Sequence, residues 1–220
     1  MAGEVGRKGR PFFALGYAII GRIGQPVIGK HRRRLLAHAS GQVVEIGAGT
    51  GLNFRYYPSS VARVLASEPD PYMLKRLRNA SRRAAVLIGV VDATAESLPL
   101  DDASADTVVA TLMLCSVEDP VASLGEAWRV LKPHGRLLFF EHVRSVDPKL
   151  AANQDRRAKS WGRLAGGCRP NRDTEASIRM AGFEVEEIDH FDVKGSKTTR
   201  PHILGVARKP AEQAVLASDP

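Results

Sequence analysis

Seven residues constrain this chain more than any others. Glu45-Ile46-Gly47-Ala48-Gly49-Thr50-Gly51 follows directly on the apolar pair Val43-Val44. An apolar run that breaks into closely spaced glycines reads as a buried strand, a tight turn and then a helix. The glycines allow the turn and let main chain approach a ligand closely. Glu45 stands where the strand ends, at the lip of the crevice that such turns border in an open α/β sheet.

The spacing also discriminates between ligands. A dinucleotide turn needs G-x-G-x-x-G/A, so that backbone amides meet a pyrophosphate. The third position of that pattern is Leu52 here, and Glu45 sets a negative charge beside any anion. A phosphate-binding loop is excluded as well, because no Gly-Lys-Ser/Thr follows. A ligand with a cationic ammonium suits the turn better, which points to S-adenosylmethionine. Glu45, Gly47, Gly49, Gly51 and Asn53 form this side of the expected cofactor site. The bland alternative is a strand, turn and helix that hold no ligand.

Composition narrows the class. A chain of 220 residues, 44% hydrophobic and 25% charged, is long enough for one domain with a substantial core. Cys115 and Cys168 are far apart in sequence and lack metal-ligand spacing. That argues against a disulfide framework or zinc site and for a reducing, cytoplasmic setting. The net charge is +8, yet the basic residues are spread out apart from Lys30 to Arg34 and a looser set from Lys149 to Arg172. No aromatic-interleaved basic ribbon or nucleic-acid motif is present, so solvated helix faces are expected and no nucleic acid. An anionic membrane surface or acidic partner is the alternative use of that charge. The apolar segment 11–29 is interrupted by Arg22, Pro26 and four glycines. It suits a lid or core-packing helix better than a bilayer span, and leaves peripheral membrane contact open.

Strand and helix patterns alternate along the chain. A helical stretch is expected over 12–39, broken at Gln25-Pro26. Strands are expected at 43–46, 63–67, 85–91, 107–112 and 136–140, and a terminal strand pair at 183–191 and 203–208. Helices are expected at 53–57, 71–83, 119–131, 148–164 and 174–180, several behind an Asp that can cap them. Repeated βα units imply a doubly wound, seven-stranded, mostly parallel sheet with helices on both faces and an antiparallel C-terminal strand. The chain divides into a helical lid or extension (1–40), a cofactor-binding domain (41–209) and a flexible tail (210–220). Residues 1–10 are expected to be mobile.

The chemistry-bearing residues fall at the expected strand ends. Glu68, followed by Pro69, ends strand two, where an acid accepts hydrogen bonds from both ribose hydroxyls. Asp92 ends strand three. Its carboxylate suits the adenine amino group, and the Ala93 amide suits a ring nitrogen. Helix capping is the ordinary use of both acids. Leu112 and Leu114 follow strand four and would flank the adenine or the reacting centre. Cys115 reads as a small buried thiol, with no base placed beside it by the sequence. His142 closes strand five at the mouth of the pocket and is the candidate base. Arg172 is a candidate for neutralising an anionic acceptor, and His202 a weaker candidate on the same side. His134 lies at the opposite end of the sheet.

EIGAGTG, Glu68, DATAESLP, the block after strand four and LKPHGRLLFFEH together resemble the class I S-adenosylmethionine-dependent methyltransferases. GAGTGLNFRYYP, LMLCSVEDP, EHV, GC-x-x-NRDT and RPHILG are similar to the branch that includes animal microsomal thiol methyltransferases. The resemblance covers 42–208. His134 stands where that family commonly has a glycine. It implies in-line methyl transfer from a sulfonium to a small-molecule acceptor, with S-adenosylhomocysteine as product and no metal required. A thiol is one acceptor; quinones, phospholipids and hydroxyl compounds are the alternatives, as is a non-catalytic cofactor-binding module. A nicotinamide-dependent reductase is disfavoured by Leu52 and by the lack of a Tyr-x-x-x-Lys pair.

Overall fold

The computed structural model describes residues 9–194 and 196–211, and the expectations for 1–8 and for the tail beyond 211 lie outside these. The helical start is broken at Gly24, just before Gln25-Pro26 open the second helix, into α1 (Pro11–Ile23) and α2 (Gln25–Leu36). Strands β1 (Gly41–Ile46), β2 (Val61–Ser67), β3 (Ile88–Val91), β4 (Ala105–Thr111), β5 (Leu131–His142), β6 (Glu184–Asp192) and β7 (Pro201–Arg208) form one sheet, ordered β3-β2-β1-β4-β5-β7-β6. The pairs among β1 to β5 are all parallel, and β7 runs antiparallel to both β5 and β6. The chain therefore reverses direction across the sheet between β1 and β4, which opens the crevice beside β1.

The connecting helices are α3 (Pro71–Ser81), α4 (Pro120–Val130), α5 (Pro148–Leu164) and α6 (Thr174–Met180). Three begin with Asp-Pro. Asp70, Asp119 and Asp147 each accept two backbone N–H bonds of the first turn, and the following proline has no N–H to leave unsatisfied. Strand β5 shows how the sheet is sandwiched. Leu137 and Phe139 pack into one core, with Val44, Ile46 and Val108, while Leu138 and Phe140 pack into the other, with Leu35, Leu36 and Val109. A period of two with both faces apolar is what a buried parallel strand requires.

Several boundaries differ from expectation. β3 begins at Ile88, three residues late, and residues 53–57 make only a 3-10 turn, Phe54–Tyr56, because Pro58 stops it. β5 starts at Leu131, directly after α4, and its register with β4 jumps across 132–135. His134 takes a left-handed φ of 63° in that bulge, the conformation glycine adopts without cost. It sits at the far end of the sheet, where its ring meets the Arg208 guanidinium.

Candidate active site

The glycine turn is held by the neighbouring strand. Gly47, Gly49 and Gly51 all have positive φ, at 61°, 60° and 78°. The Gly49 N–H donates to Glu68 Oε2 at 2.9 Å, and the Asp70 N–H donates to Glu68 Oε1 at 2.9 Å. Glu68 thus ties the turn after β1 to the start of α3, with Pro69 fixing the bend between them. Burial raises its carboxyl to about 7, against the lowering effect of the two amides. A Cβ on Gly47 would strike Met113 at 2.9 Å, whereas one on Gly49 would meet only the Tyr17 ring at 3.5 Å. Thr50 Oγ1 and Ser67 Oγ are buried at this crevice without hydrogen-bond partners. The two unsatisfied hydroxyls, beside a turn covered at Gly49 by the Tyr17 ring alone, fit a polar ligand laid on the turn.

Beneath the turn lies a network that spacing alone did not reveal. Asn53 Nδ2 donates to Glu45 Oε1 at 2.9 Å and to Thr111 Oγ1 at 3.0 Å. The Tyr57 hydroxyl donates to Glu45 Oε2 at 2.7 Å. Arg32 reaches in from α2, is 4% exposed, and donates to Asn53 Oδ1. Burial raises the Glu45 carboxyl to about 7, with Tyr57, Arg32 and Asn53 pulling the other way. The solvated-face reading of the basic run therefore fails at Arg32. The usable signal was helical spacing, since Ile28, Arg32, Leu35 and Leu36 share one face of α2.

The other expected cofactor contacts separate. Asp92 is exposed directly after β3, and Ala93 is buried behind it. Leu112 takes a left-handed φ of 55° and is half-buried, its N–H donating to the Phe140 carbonyl at 2.7 Å. Leu114 is instead packed into the core, 1% exposed, with its N–H given to Glu141 and its carbonyl taken by Arg172. Its side chain belongs to the same core cluster as Met113. Arg172 also donates to the Val117 carbonyl, so it braces this loop and is not a free cation for an anionic acceptor.

The end of β5 organises the opposite wall. Glu141 is fully buried and accepts the N–H groups of Met113, Leu114 and Cys115 at 2.9, 2.9 and 3.1 Å. The next residue, His142, points its Nδ1 at two sulfurs, Cys115 Sγ at 3.4 Å and Cys168 Sγ at 3.6 Å. The two sulfurs are 3.8 Å apart. The Cys115 thiol is pushed up by its hydrogen bond with Cys168 and by burial, and Cys168 is held well below the ordinary thiol range by Cys115 and His142. Sequence separation hid this cluster, because its members come from the loops after β4 and α5 and from the end of β5. His202 pairs with His142 across β5 and β7, with ring centroids 4.6 Å apart. Burial and the neighbouring His142 push it down to about 3, so it stays neutral.

Helix α1 covers the crevice. Tyr17 lies over Gly49, and Phe13 packs so closely on Gly166 that a Cβ there would meet its ring at 2.1 Å. The two rings lie 5.9 Å apart, so α1 spans the space between the glycine turn and the loop that carries Cys168. A cavity of about 520 Å³ lies elsewhere, lined by Val143–Asp147, Phe191, Arg200 and His202. It reaches the site only at His202 and Val143. None of the glycine-turn residues borders it.

Comparison with known proteins agrees with this geometry. Residues 44–139 match the methyltransferase domain family. The chain is 30% identical over 228 aligned positions to human thiol S-methyltransferase TMT1A, covering 92% of this chain and 87% of the relative. It is 35% identical over 173 positions to rat thiol S-methyltransferase TMT1B, covering 76% and 70%. A crystal structure of a SAM-dependent methyltransferase from Methanosarcina mazei shares the fold with a TM-score of 0.62 at 19% identity, covering 78% of this chain and 93% of that one. The chain belongs to the class I S-adenosylmethionine-dependent methyltransferases, in the same family as TMT1A and TMT1B.

Proposed function

We propose that this enzyme methylates the sulfur of a small thiol in the reducing cytoplasm. Glu68 accepts from the ribose hydroxyls, Asp92 and the Ala93 amide meet the adenine, and the backbone of Gly47 to Gly51 cradles the amino-acid end. Glu45 faces the cationic amino group, and Asn53 positions Glu45. The cofactor supplies an electrophilic methyl group on a sulfonium. The protein supplies alignment, which contributes several kcal/mol to such a displacement.

One observation carries the choice of acceptor. Among the described residues, the wall at the end of β5 gathers two thiols and an imidazole within 3.8 Å of one another. Glu141 is committed to three amides, His202 stays neutral, and His142 Nδ1 is turned to sulfur. A thiol ionises near pH ~8.5 and needs little help, whereas a hydroxyl must lose a far less acidic proton. The thiol specificity named for TMT1A and TMT1B supports the same choice.

Peripheral membrane contact is part of the proposal. Phe12, Leu15 and Ile19 form an exposed apolar row on α1. Among the described residues no helix is long and apolar enough to cross a membrane.

The test is calorimetric titration with S-adenosylmethionine, with NADH as control, followed by S-adenosylhomocysteine release with small thiols and with matched alcohols and phenols. Turnover with thiols alone is expected. Turnover with hydroxyl compounds alone would overturn the acceptor assignment.

A further inference from the structure

The Cys115, His142 and Cys168 ligand atoms all lie within 4.8 Å of one another. Tetrahedral zinc, at about 2.3 Å from sulfur and about 2.05 Å from imidazole nitrogen, separates its ligands by about 3.8 Å (sulfur to sulfur) and about 3.6 Å (sulfur to nitrogen). The observed edges are 3.8 Å between the sulfurs and 3.4 and 3.6 Å from sulfur to His142 Nδ1. We propose that Cys115, His142 and Cys168 form a zinc site with three protein ligands, whose fourth position opens to the crevice and takes the acceptor's sulfur. The second half of this proposal rests on the thiol reading above.

The chemistry of the donor set selects the ion. Two thiolates and a neutral imidazole balance a dication, and soft sulfur ligands favour zinc over magnesium or calcium. Three protein ligands with one open position is the arrangement of catalytic rather than structural zinc.

The ligands are also held by their surroundings, as a metal site requires. Glu141 pins the three amides that carry Cys115. The Arg169 N–H donates to the Cys115 carbonyl at 2.6 Å, which locks the Cys168 turn against the Cys115 loop. Gly167 lets that turn approach, since a Cβ there would sit 2.7 Å from the Ser116 carbonyl oxygen. The Trp161 indole N–H, on the helix that leads to Cys168, is buried without a hydrogen-bond partner.

The open position faces the cofactor side because α1 bridges the two: Phe13 packs on Gly166, two residues before Cys168, and Tyr17, one turn further on, lies over Gly49. A thiol R–SH binding there forms a metal–sulfur bond and loses its proton to water. The sulfur keeps its electron pairs, and no oxidant or reductant is needed. A metal dication makes a coordinated thiol a thiolate outright.

The experiment uses the full chain, freed of metal by a chelator and kept reduced with a phosphine under anaerobic conditions. Cobalt(II) is titrated in as a spectroscopic stand-in for zinc. About one equivalent should bind, with thiolate-to-cobalt charge transfer and tetrahedral ligand-field bands, and zinc should displace it. Cys168→Ser and His142→Gln should lose these bands while still binding S-adenosylmethionine, which shows that they are folded. Binding of well under about one-tenth of an equivalent, or an unchanged spectrum in Cys168→Ser, would overturn the site.

A small aliphatic thiol should shift the ligand-field bands, and the matching alcohol should not. Metal-free protein that methylates thiols at an undiminished rate would overturn the metal's role and leave the function intact. Cobalt bound at the site with turnover only on hydroxyl compounds would uphold the site and overturn its role toward thiols.

Discussion

The Gly49 amide donates to the Glu68 carboxylate at 2.9 Å, so the turn after β1 and the acid after β2 act as one unit. Removing the acid releases the turn as well as the proposed ribose contact. Glu68→Ala is expected to weaken S-adenosylmethionine binding roughly tenfold to hundredfold, the scale of one or two lost charge-assisted hydrogen bonds. Titration calorimetry checks this, and an unaltered dissociation constant would remove Glu68 from the site.

Gly49→Val forces a β-branched residue into a φ of 60° and fills the space over the turn. The backbone strain costs about 1–2 kcal/mol. The variant should therefore fold, with a lowered Tm, and bind no measurable cofactor. Circular dichroism and calorimetry on the same sample separate the two effects.

Glu45 and Glu68 both titrate near 7 in the folded protein because burial disfavours their charged forms. A carboxyl raised in this way stabilises the fold fully below its unfolded value of about 4.3, and that contribution is lost as pH rises through about 7. The Tm of the cofactor-free protein should fall across this window, and Glu45→Gln should flatten the fall. Cofactor hydroxyls and ammonium favour the ionised carboxylates. Affinity should therefore rise with pH until it levels above about 7, with proton release on binding. Calorimetry in buffers of different ionisation enthalpy measures that release.

Arg32 is buried and hydrogen-bonded to Asn53, next to Glu45. Arg32→Met leaves the Glu45 carboxylate without its neighbouring cation. It also leaves the buried Asn53 Oδ1 without its donor, at an expected cost of about 1–3 kcal/mol, the scale of an unsatisfied buried acceptor. Urea unfolding checks it, and a loss within the scatter of surface substitutions would place Arg32 outside the network.

Helix α1 roofs the crevice through Tyr17 and Phe13. Deleting residues 1–23 should raise the acceptor KM at least roughly fivefold, with a much smaller change in cofactor affinity, as expected for a lid. Steady-state kinetics beside calorimetry reads the difference. Equal loss of both would make α1 a structural element.

What the sequence by itself determined was local. EIGAGTG dictates a turn, because closely spaced glycines after an apolar run have few other uses. Three Asp-Pro pairs mark helix starts, and doubly apolar runs mark buried parallel strands. Order along the chain then places Glu45, Glu68, Asp92 and His142 at one edge of the sheet, since every parallel strand ends on the same side.

Tertiary structure alone decided which side chains share a space. Leu114 and Leu112 are two residues apart, yet the first is fully buried in one core cluster and the second is half-buried against the other. Arg32 and Arg33 are adjacent, yet only the first turns inward. Cys115 and Cys168 carry no pattern in their separation, because neighbours across a sheet edge come from loops whose lengths are unconstrained by contact. Their meeting at His142 depends on strand register, on the amides gathered by Glu141 and on the close approach at Gly167.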